Sequence, residues 1–218
     1  YFPLFMTGYV ITDLLADHEW FSADQIVIGS VSSKTGFGLA SFIKAARYPG
    51  QIVGVTSAGN KAFVESLAIC DSIVTYQDVA TLEQRPSVFV DMAGDKSTRI
   101  QLHQRLGDNM KASLMVGATH WDAWRPDDMA APMPGSPPEF FFAPAQIDKR
   151  NSEWGTGILM EKAYAASTEL AVSLKGKLDL RFRKGAEVCA ENWLQLLDNK
   201  VSGQQGILVS LRMEADTD

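Results

Sequence analysis

The chain has 218 residues, 46% of them apolar and 21% charged, and carries a formal net charge of −6. That balance provides material for a real core in a soluble globular domain, and its acidity argues against nucleic acid as a general partner. No run approaches the roughly 18 apolar residues of a membrane span, and two cysteines without a C-x-x-C spacing, beside three histidines, exclude a structural zinc site. With no secretory signal visible, a cytoplasmic location is expected.

In chain order, residues 8–15 predict a short amphipathic helix. Residues 25–40 (QIVIGSVSSKTGFGLA) read as an apolar strand, a turn of small polar residues and glycine, and a helix start. The helix is expected over 38–48, with Leu39, Phe42, Ile43 and Ala46 on one face and Pro49-Gly50 as the stop. Strands are predicted at 51–56, 72–75, 87–91 and 113–117, and helices at 60–67 and 96–106. Residues 121–138 are rich in proline and methionine and predict a surface loop. A sixth strand is expected at 139–142, helices at 155–175 and 186–197, and a closing strand at 206–211. Near-continuous apolar strands that alternate with helices imply a parallel sheet covered on both faces. The fold class is therefore α/β: a Rossmann-type, doubly wound, mostly parallel six-stranded sheet with flanking helices.

The strand–turn–helix at 25–40 has the parts that a nucleotide pyrophosphate needs. The strand ends at the carboxyl edge of the sheet, glycines permit close backbone approach, and the helix presents unpaired N–H groups and the positive end of its dipole. Ser32, Ser33, Lys34, Thr35, Gly36, Phe37 and Gly38 are the candidate contacts. Only G-x-G-x-A is present, so an ordinary glycine-containing turn remains the alternative. Lys34-Thr35 precedes the glycines, which does not match an ATPase-type phosphate loop.

The order of these pieces resembles the cofactor-binding half of the medium-chain dehydrogenase/reductases, in particular their zinc-independent, quinone-oxidoreductase-like branch. Phe5-Met6-Thr7-Gly8-Tyr9 resembles the threonine-bearing helix before the first strand, and Gly54-Val55-Thr56-Ser57 the end of the second. Ser66-Leu67-Ala68-Ile69-Cys70-Asp71, followed by Thr75-Tyr76, resembles a passage that leads into the third strand. Val90-Asp91-Met92-Ala93-Gly94 is similar to the fourth strand with its terminal glycine, and the 203–211 segment to the final glycine-led strand. The turn Ser-x-Ser-Ser-Lys-Thr-x-x-Gly-Leu-Ala also resembles that of an uncharacterised bacterial subgroup. Two departures stand out. Lys34-Thr35 replaces the family's small residues, and the family's N-terminal barrel-like catalytic domain has no counterpart. Residues 1–218 are thus expected to form a single dinucleotide-binding domain with C-terminal helices and a closing strand, either as a fragment or as a reduced protein.

The second predicted strand ends in Thr56-Ser57-Ala58-Gly59-Asn60-Lys61, without the carboxylate that binds ribose hydroxyls in NAD-type folds. Hydroxyls, an amide and a cation suit a 2′-phosphate, so NADP(H) is the expected cofactor, with Ser57, Asn60 and Lys61 as contacts. Lys61 and Tyr76 match the pair that the resemblance implies for the 2′-phosphate and adenine; a solvated lysine is the bland alternative. Lys34 either braces the pyrophosphate or faces solvent. Ala93, Gly94, Gly117 and Ala118 are small residues where a nicotinamide ribose would lie against backbone, and the resemblance brings Phe142 near the nicotinamide.

The protein orients such a cofactor and supplies an acid for the substrate oxygen. Tyr9, His120, Asp122 and Tyr164 are the groups considered. His120 is favoured for its place past a strand's carboxyl end beside Asp122, with Tyr9 second, and a structural histidine is the alternative. No Tyr-x-x-x-Lys dyad and no G-x-S-x-G elbow occurs. Trp121, Trp124, Phe140–Phe142, Met129 and Met133 line either a substrate surface or the underside of the loop. The expectation is an NADP(H)-binding oxidoreductase-like domain without zinc that reduces a small-molecule carbonyl, enone or quinone; it would bind neither nucleic acid nor membrane and would form a homodimer. The alternative is a non-catalytic nucleotide-binding or assembly module. Methyl transfer from S-adenosylmethionine is disfavoured by the missing second-strand acid.

Overall fold

A computed structural model describes residues 1–117, 133–198 and 200–211. The apolar runs become β1 (Gln25–Gly29), β2 (Gln51–Thr56), β3 (Ser72–Thr75), β4 (Ser87–Asp91), β5 (Met110–Met115) and β6 (Pro138–Phe140). They form one six-stranded sheet in the order β3-β2-β1-β4-β5-β6, with every neighbouring pair parallel. β1 and β4 are buried along their whole length. That two-sided burial is why they read as uninterrupted apolar runs rather than alternation. Helices α2 (Lys34–Ala45), α3 (Ala58–Leu67) and α4 (Lys96–Leu106) make the crossovers. The architecture is a Rossmann-type α/β fold. Strand order reverses beside β1, where Gly29 is in register with Asp91 of β4, and this puts the crevice of the fold at those carboxyl ends. Below it lies a core of Val27, Val53, Val55, Phe89, Leu102, Leu106 and Met110.

Several boundaries differ from expectation, each for a physical reason. The predicted helix 8–15 is α1 (Phe2–Asp17); Pro3 lies in its first turn, where a missing N–H is not needed. α1 packs closely on α2. A Cβ at Gly8 would lie 2.9 Å from the Leu39 nitrogen, and one at Gly38 would lie 3.1 Å from the Phe5 ring. α2 starts at Lys34 rather than at 38, because Ser33 caps it despite the glycines. β5 runs three residues further back than predicted, and its pairing with β4 shifts register at Ser87/Val88.

The helix expected over 155–175 spans Ile158–Ser173, and a further helix that was not predicted precedes it. α5 (Ala143–Trp154) and α6 (Ile158–Ser173) are separated by Gly155 and Gly157, with φ of 104° and 85°. α5 escaped prediction because its sequence is mostly polar. Charge holds it in place: Arg150 Nε pairs with Asp13 at 2.7 Å and Nη1 with Asp17 at 3.1 Å, both on α1. The predicted loop 121–138 lies largely outside the described residues.

Contacts divide the chain into two compact units, Tyr1–Val172 and Ser173–Asp218. The second contains β7 (Asp179–Lys184), α7 (Ala186–Leu197) and β8 (Gln205–Ser210). β7 and β8 pair in parallel as a separate two-stranded sheet. β7 was not predicted, although DLRFRK alternates charged and apolar residues as a strand does; it is largely exposed and pairs with β8 alone.

Candidate functional site

The carboxyl edge of the sheet gathers most of the residues singled out above. After β1 the chain turns at Ser30, whose φ is 51°, uncommon for a residue other than glycine. Ser33 then caps α2: its Oγ accepts from the Gly36 N–H at 3.1 Å, and its carbonyl accepts from Phe37 N at 2.9 Å. Gly36 belongs to this turn for steric reasons. A Cβ there would come within 2.6 Å of the Ser30 carbonyl oxygen and 2.9 Å of Ser33 Oγ. Phe37 points the other way, fully buried against Phe5 and Phe63. Gly38 faces α1, so only the front of the motif borders the edge. Lys34, the first residue of α2, is half-buried, and burial pulls its ammonium below the ordinary lysine value. Its Nζ lies 5.9 Å from the centre of the Tyr1 ring.

The ends of β2 and β3 join this turn. Thr56, fully buried at the end of β2, donates to Ser32 Oγ at 3.0 Å. Ser57 opens α3, and Asn60 Nδ2 donates to its Oγ at 3.2 Å; Lys61 follows, half-buried. A Cβ at Gly59 would meet nothing within 4 Å, so the surface in front of this turn is open. Tyr76, just past β3, packs on the core. Burial pushes its phenol up, while hydrogen bonds from Ser30 oppose the shift.

On the other side of the crevice the organising group is one that sequence reading did not single out for a role. Asp91, the last residue of β4, is 2% exposed. Its Oδ1 accepts from Ala93 N at 3.1 Å and Gly94 N at 2.8 Å, and its Oδ2 accepts from Arg99 Nη1 at 3.1 Å. Burial pushes the carboxyl up, whereas the Gly94 amide and the Arg99 charge hold it down. Gly94 has a φ of 72°, which glycine adopts without steric cost. The Asp91 carbonyl also accepts from Val116 N at 2.9 Å. A Cβ at Gly117 would lie 2.1 Å from the Met92 carbonyl oxygen, so β4 and β5 leave the sheet in contact. At β6, Phe141 N donates to the Met115 carbonyl at 2.8 Å, and Phe142 is 61% exposed at the start of α5. The available signal for Asp91 was an acid ending the apolar run SVFVD, with an arginine eight residues on.

The candidate acids are distributed differently. Tyr9 packs edge-on against Phe42, with ring centroids 5.5 Å apart. Phe42 lies eight residues beyond Lys34 on α2, about 12 Å along the helix, so Tyr9 is not brought to the turn. Tyr164, on α6, stacks on Phe2 at 4.8 Å. Ala118, His120, Trp121, Asp122, Trp124 and Met129 lie outside the described residues. Among the described residues no group of three or more His, Cys, Asp or Glu could hold a metal ion, and no helix is long and apolar enough to cross a membrane.

Fold and edge residues together define a Rossmann-type chain whose crevice is rich in hydroxyls and small residues. Over residues 1–202 it matches the profile of the family described as "Protein of unknown function (DUF2855)", and it belongs to that family. A search among curated proteins finds no match. Among solved structures, CurA from Vibrio vulnificus in complex with NADPH is similar with a TM-score of 0.57 at 12% identity, over 94% of this chain and 62% of its own. The yhdH oxidoreductase from Salmonella enterica in complex with NADP gives 0.54 at 13%, over 95% and 61%. The quinone oxidoreductase from Coxiella burnetii gives 0.52 at 14%, over 94% and 58%. The chain thus spans about three fifths of the length of these structures, and at such identities the likeness shows the fold.

Proposed function

We propose that this chain binds a nicotinamide dinucleotide, NADP(H) rather than NAD(H), along the carboxyl edge of the sheet, as the cofactor-binding part of a zinc-independent, medium-chain-type oxidoreductase. One observation carries the choice of cofactor. The turn after β2 offers Ser57, Asn60 and Lys61 around the open space at Gly59, with no carboxylate among residues 56–61. An acid there would repel a 2′-phosphate; a lysine and amide attract it. The Ser33-capped start of α2, with Lys34 as its first residue, supplies positive potential for the pyrophosphate. Ala93, Gly94 and Gly117 offer backbone surface for the ribose of the nicotinamide half. Structures of similar fold hold NADPH and NADP, which supports this reading. Bound there, the cofactor supplies hydride to a carbonyl, enone or quinone; the chain's own residues bind it and orient it.

A second reading, a nucleotide-binding module without turnover, has one observation in its favour: Tyr9 is packed on Phe42, away from the turn. Calorimetric titration with NADPH and with NADH tests the binding. Micromolar NADPH affinity with NADH at least about tenfold weaker, one 2′-phosphate contact's worth, is the expected result. Equal affinities would refute the role of Lys61, and no binding of either would refute the site. A screen of quinones, enones and aldehydes with NADPH then separates the enzyme from the module.

A further inference from the structure

Resting on the nucleotide reading above, we infer that Asp91, held by Arg99, is the positioning residue for the nicotinamide half of the site. Its carboxylate shapes the backbone of Ala93 and Gly94 on which that half of the ligand would lie.

The geometry is that of a junction. One side chain takes both loop amides on Oδ1 and the arginine on Oδ2, while the same residue's carbonyl receives the chain leaving β5. The Asp91 side chain therefore determines where the β4 loop runs, its backbone carbonyl holds the exit of β5, and the Gly117–Met92 contact leaves little room for either to move. Both loop N–H groups are turned inward to the carboxylate. The loop's N–H groups are thus committed to the carboxylate, and the anionic groups of the ligand are left to the α2 side with Lys34.

The pair does not look like a device for stability. Arg99 is 4% exposed, and its buried Nε has no partner among the described residues. An apolar pair of similar volume is often as stable as a buried ion pair, and an orphaned donor is a further cost. What an apolar pair lacks is an acceptor for the Ala93 and Gly94 amides. Arg99 favours the charged form of the carboxylate and points it, and Asp91 carries the acceptor.

Two double variants separate these roles. Asp91→Leu with Arg99→Met removes the ion pair and the acceptor together. Asp91→Asn with Arg99→Met removes the charges but leaves a carbonyl oxygen for the loop. Both are expected to fold, as judged by thermal unfolding. Amide hydrogen exchange at Ala93 and Gly94, measured by NMR on the free protein, is expected to be about tenfold or more faster in the leucine variant and near wild type in the asparagine variant. In the leucine variant NADPH should bind about tenfold more weakly, whereas adenosine 2′,5′-bisphosphate, which lacks the nicotinamide half, should bind within about twofold of wild type.

The inference is overturned if the leucine variant keeps wild-type exchange or wild-type NADPH affinity, or if both nucleotides weaken together. It is equally overturned if the two double variants behave alike. Should wild-type protein bind neither nucleotide, the proposed function fails, and the exchange rates alone decide whether Asp91 holds the loop. If the leucine variant does not fold, Asp91→Ala with Arg99→Met takes its place, with the same expected and overturning results.

Discussion

Gly36→Ala tests the turn on which the proposed function depends. The added methyl would lie 2.6 Å from the Ser30 carbonyl oxygen, 2.9 Å from Ser33 Oγ and 2.9 Å from Val31 Cα. Two of those atoms are backbone, and the third is the cap that receives the Gly36 N–H, so the strain cannot relax through a flexible side chain. Overpacking of this kind costs about 1–3 kcal/mol, and displacing Ser33 forfeits a cap worth about 1 kcal/mol more. The expected loss is about 2–4 kcal/mol, read by urea unfolding. For a domain of this size it corresponds to a fall in Tm of roughly 4–16 °C, at about 2–4 °C per kcal/mol. Gly59→Ala is the matched control. It sits in the first turn of α3 with nothing within 4 Å of the new methyl, and should be neutral or stabilising by up to about 1 kcal/mol. NADPH binding should be lost in the first variant; Gly59→Ala is the control for stability alone, because its methyl enters the space proposed for the 2′-phosphate. Stability within about 0.5 kcal/mol of wild type for Gly36→Ala, the range of an ordinary surface change, would show that the turn is not held as described.

Lys61→Glu should weaken NADPH by about tenfold or more while NADH binds as well or better, since the new acid repels the 2′-phosphate and can accept from ribose hydroxyls; titration with both nucleotides reads this directly, and unchanged selectivity would leave Lys61 as a solvated lysine. His103 is fully buried between the Pro134 carbonyl at 2.9 Å and Ser113 Oγ at 3.0 Å, and burial holds it below the ordinary value of 6.5. The unfolded chain then binds the proton more readily, so stability is full above pH 6.5 and falls as pH drops below it. Urea midpoints at pH 7.5 and 5.5 should show this drop, and His103→Gln should flatten it. Arg150→Met leaves Asp13 and Asp17 without their shared arginine at a position 8% exposed; a loss of about 3 kcal/mol and earlier proteolysis near α5 are expected, and a wild-type digestion pattern would argue against charge as the tether of that helix.

How much was legible depended on how local the cause was. β1 and β4 could be read because burial on both faces writes itself into consecutive residues: Ile26, Val27 and Ile28 in one, Val88, Phe89 and Val90 in the other. That a helix follows β1 was readable as well, but its start was placed four residues late, because Ser33 caps the chain before the glycines. α5 and β7 were not readable. The first is polar and held by Arg150 against residues more than 130 positions earlier, and the second depends on a partner strand that lies beyond an intervening helix. His18–Ser22 gave no signal at all. Glu19, Trp20, Phe21 and Ser22 all adopt positive φ, a conformation that costs roughly 1–2 kcal/mol per residue; His18 stacks on Phe21 there, and Trp20 makes a tilted contact with Tyr48.

By itself, then, the sequence determined the alternation of strand and helix, the glycine-bearing turn and the missing acid after β2, because each is written in neighbouring residues. Tertiary structure decided what those residues are used for. It committed Gly38 to the crossing with α1 and Gly36 to the turn, and it carried Tyr9 to Phe42. It also made Asp91 a junction at the crevice, because only folding brings Arg99, two loop amides and the end of β5 around one residue. Roles of that kind depend on which atoms meet across the fold, and spacing along the chain does not encode them.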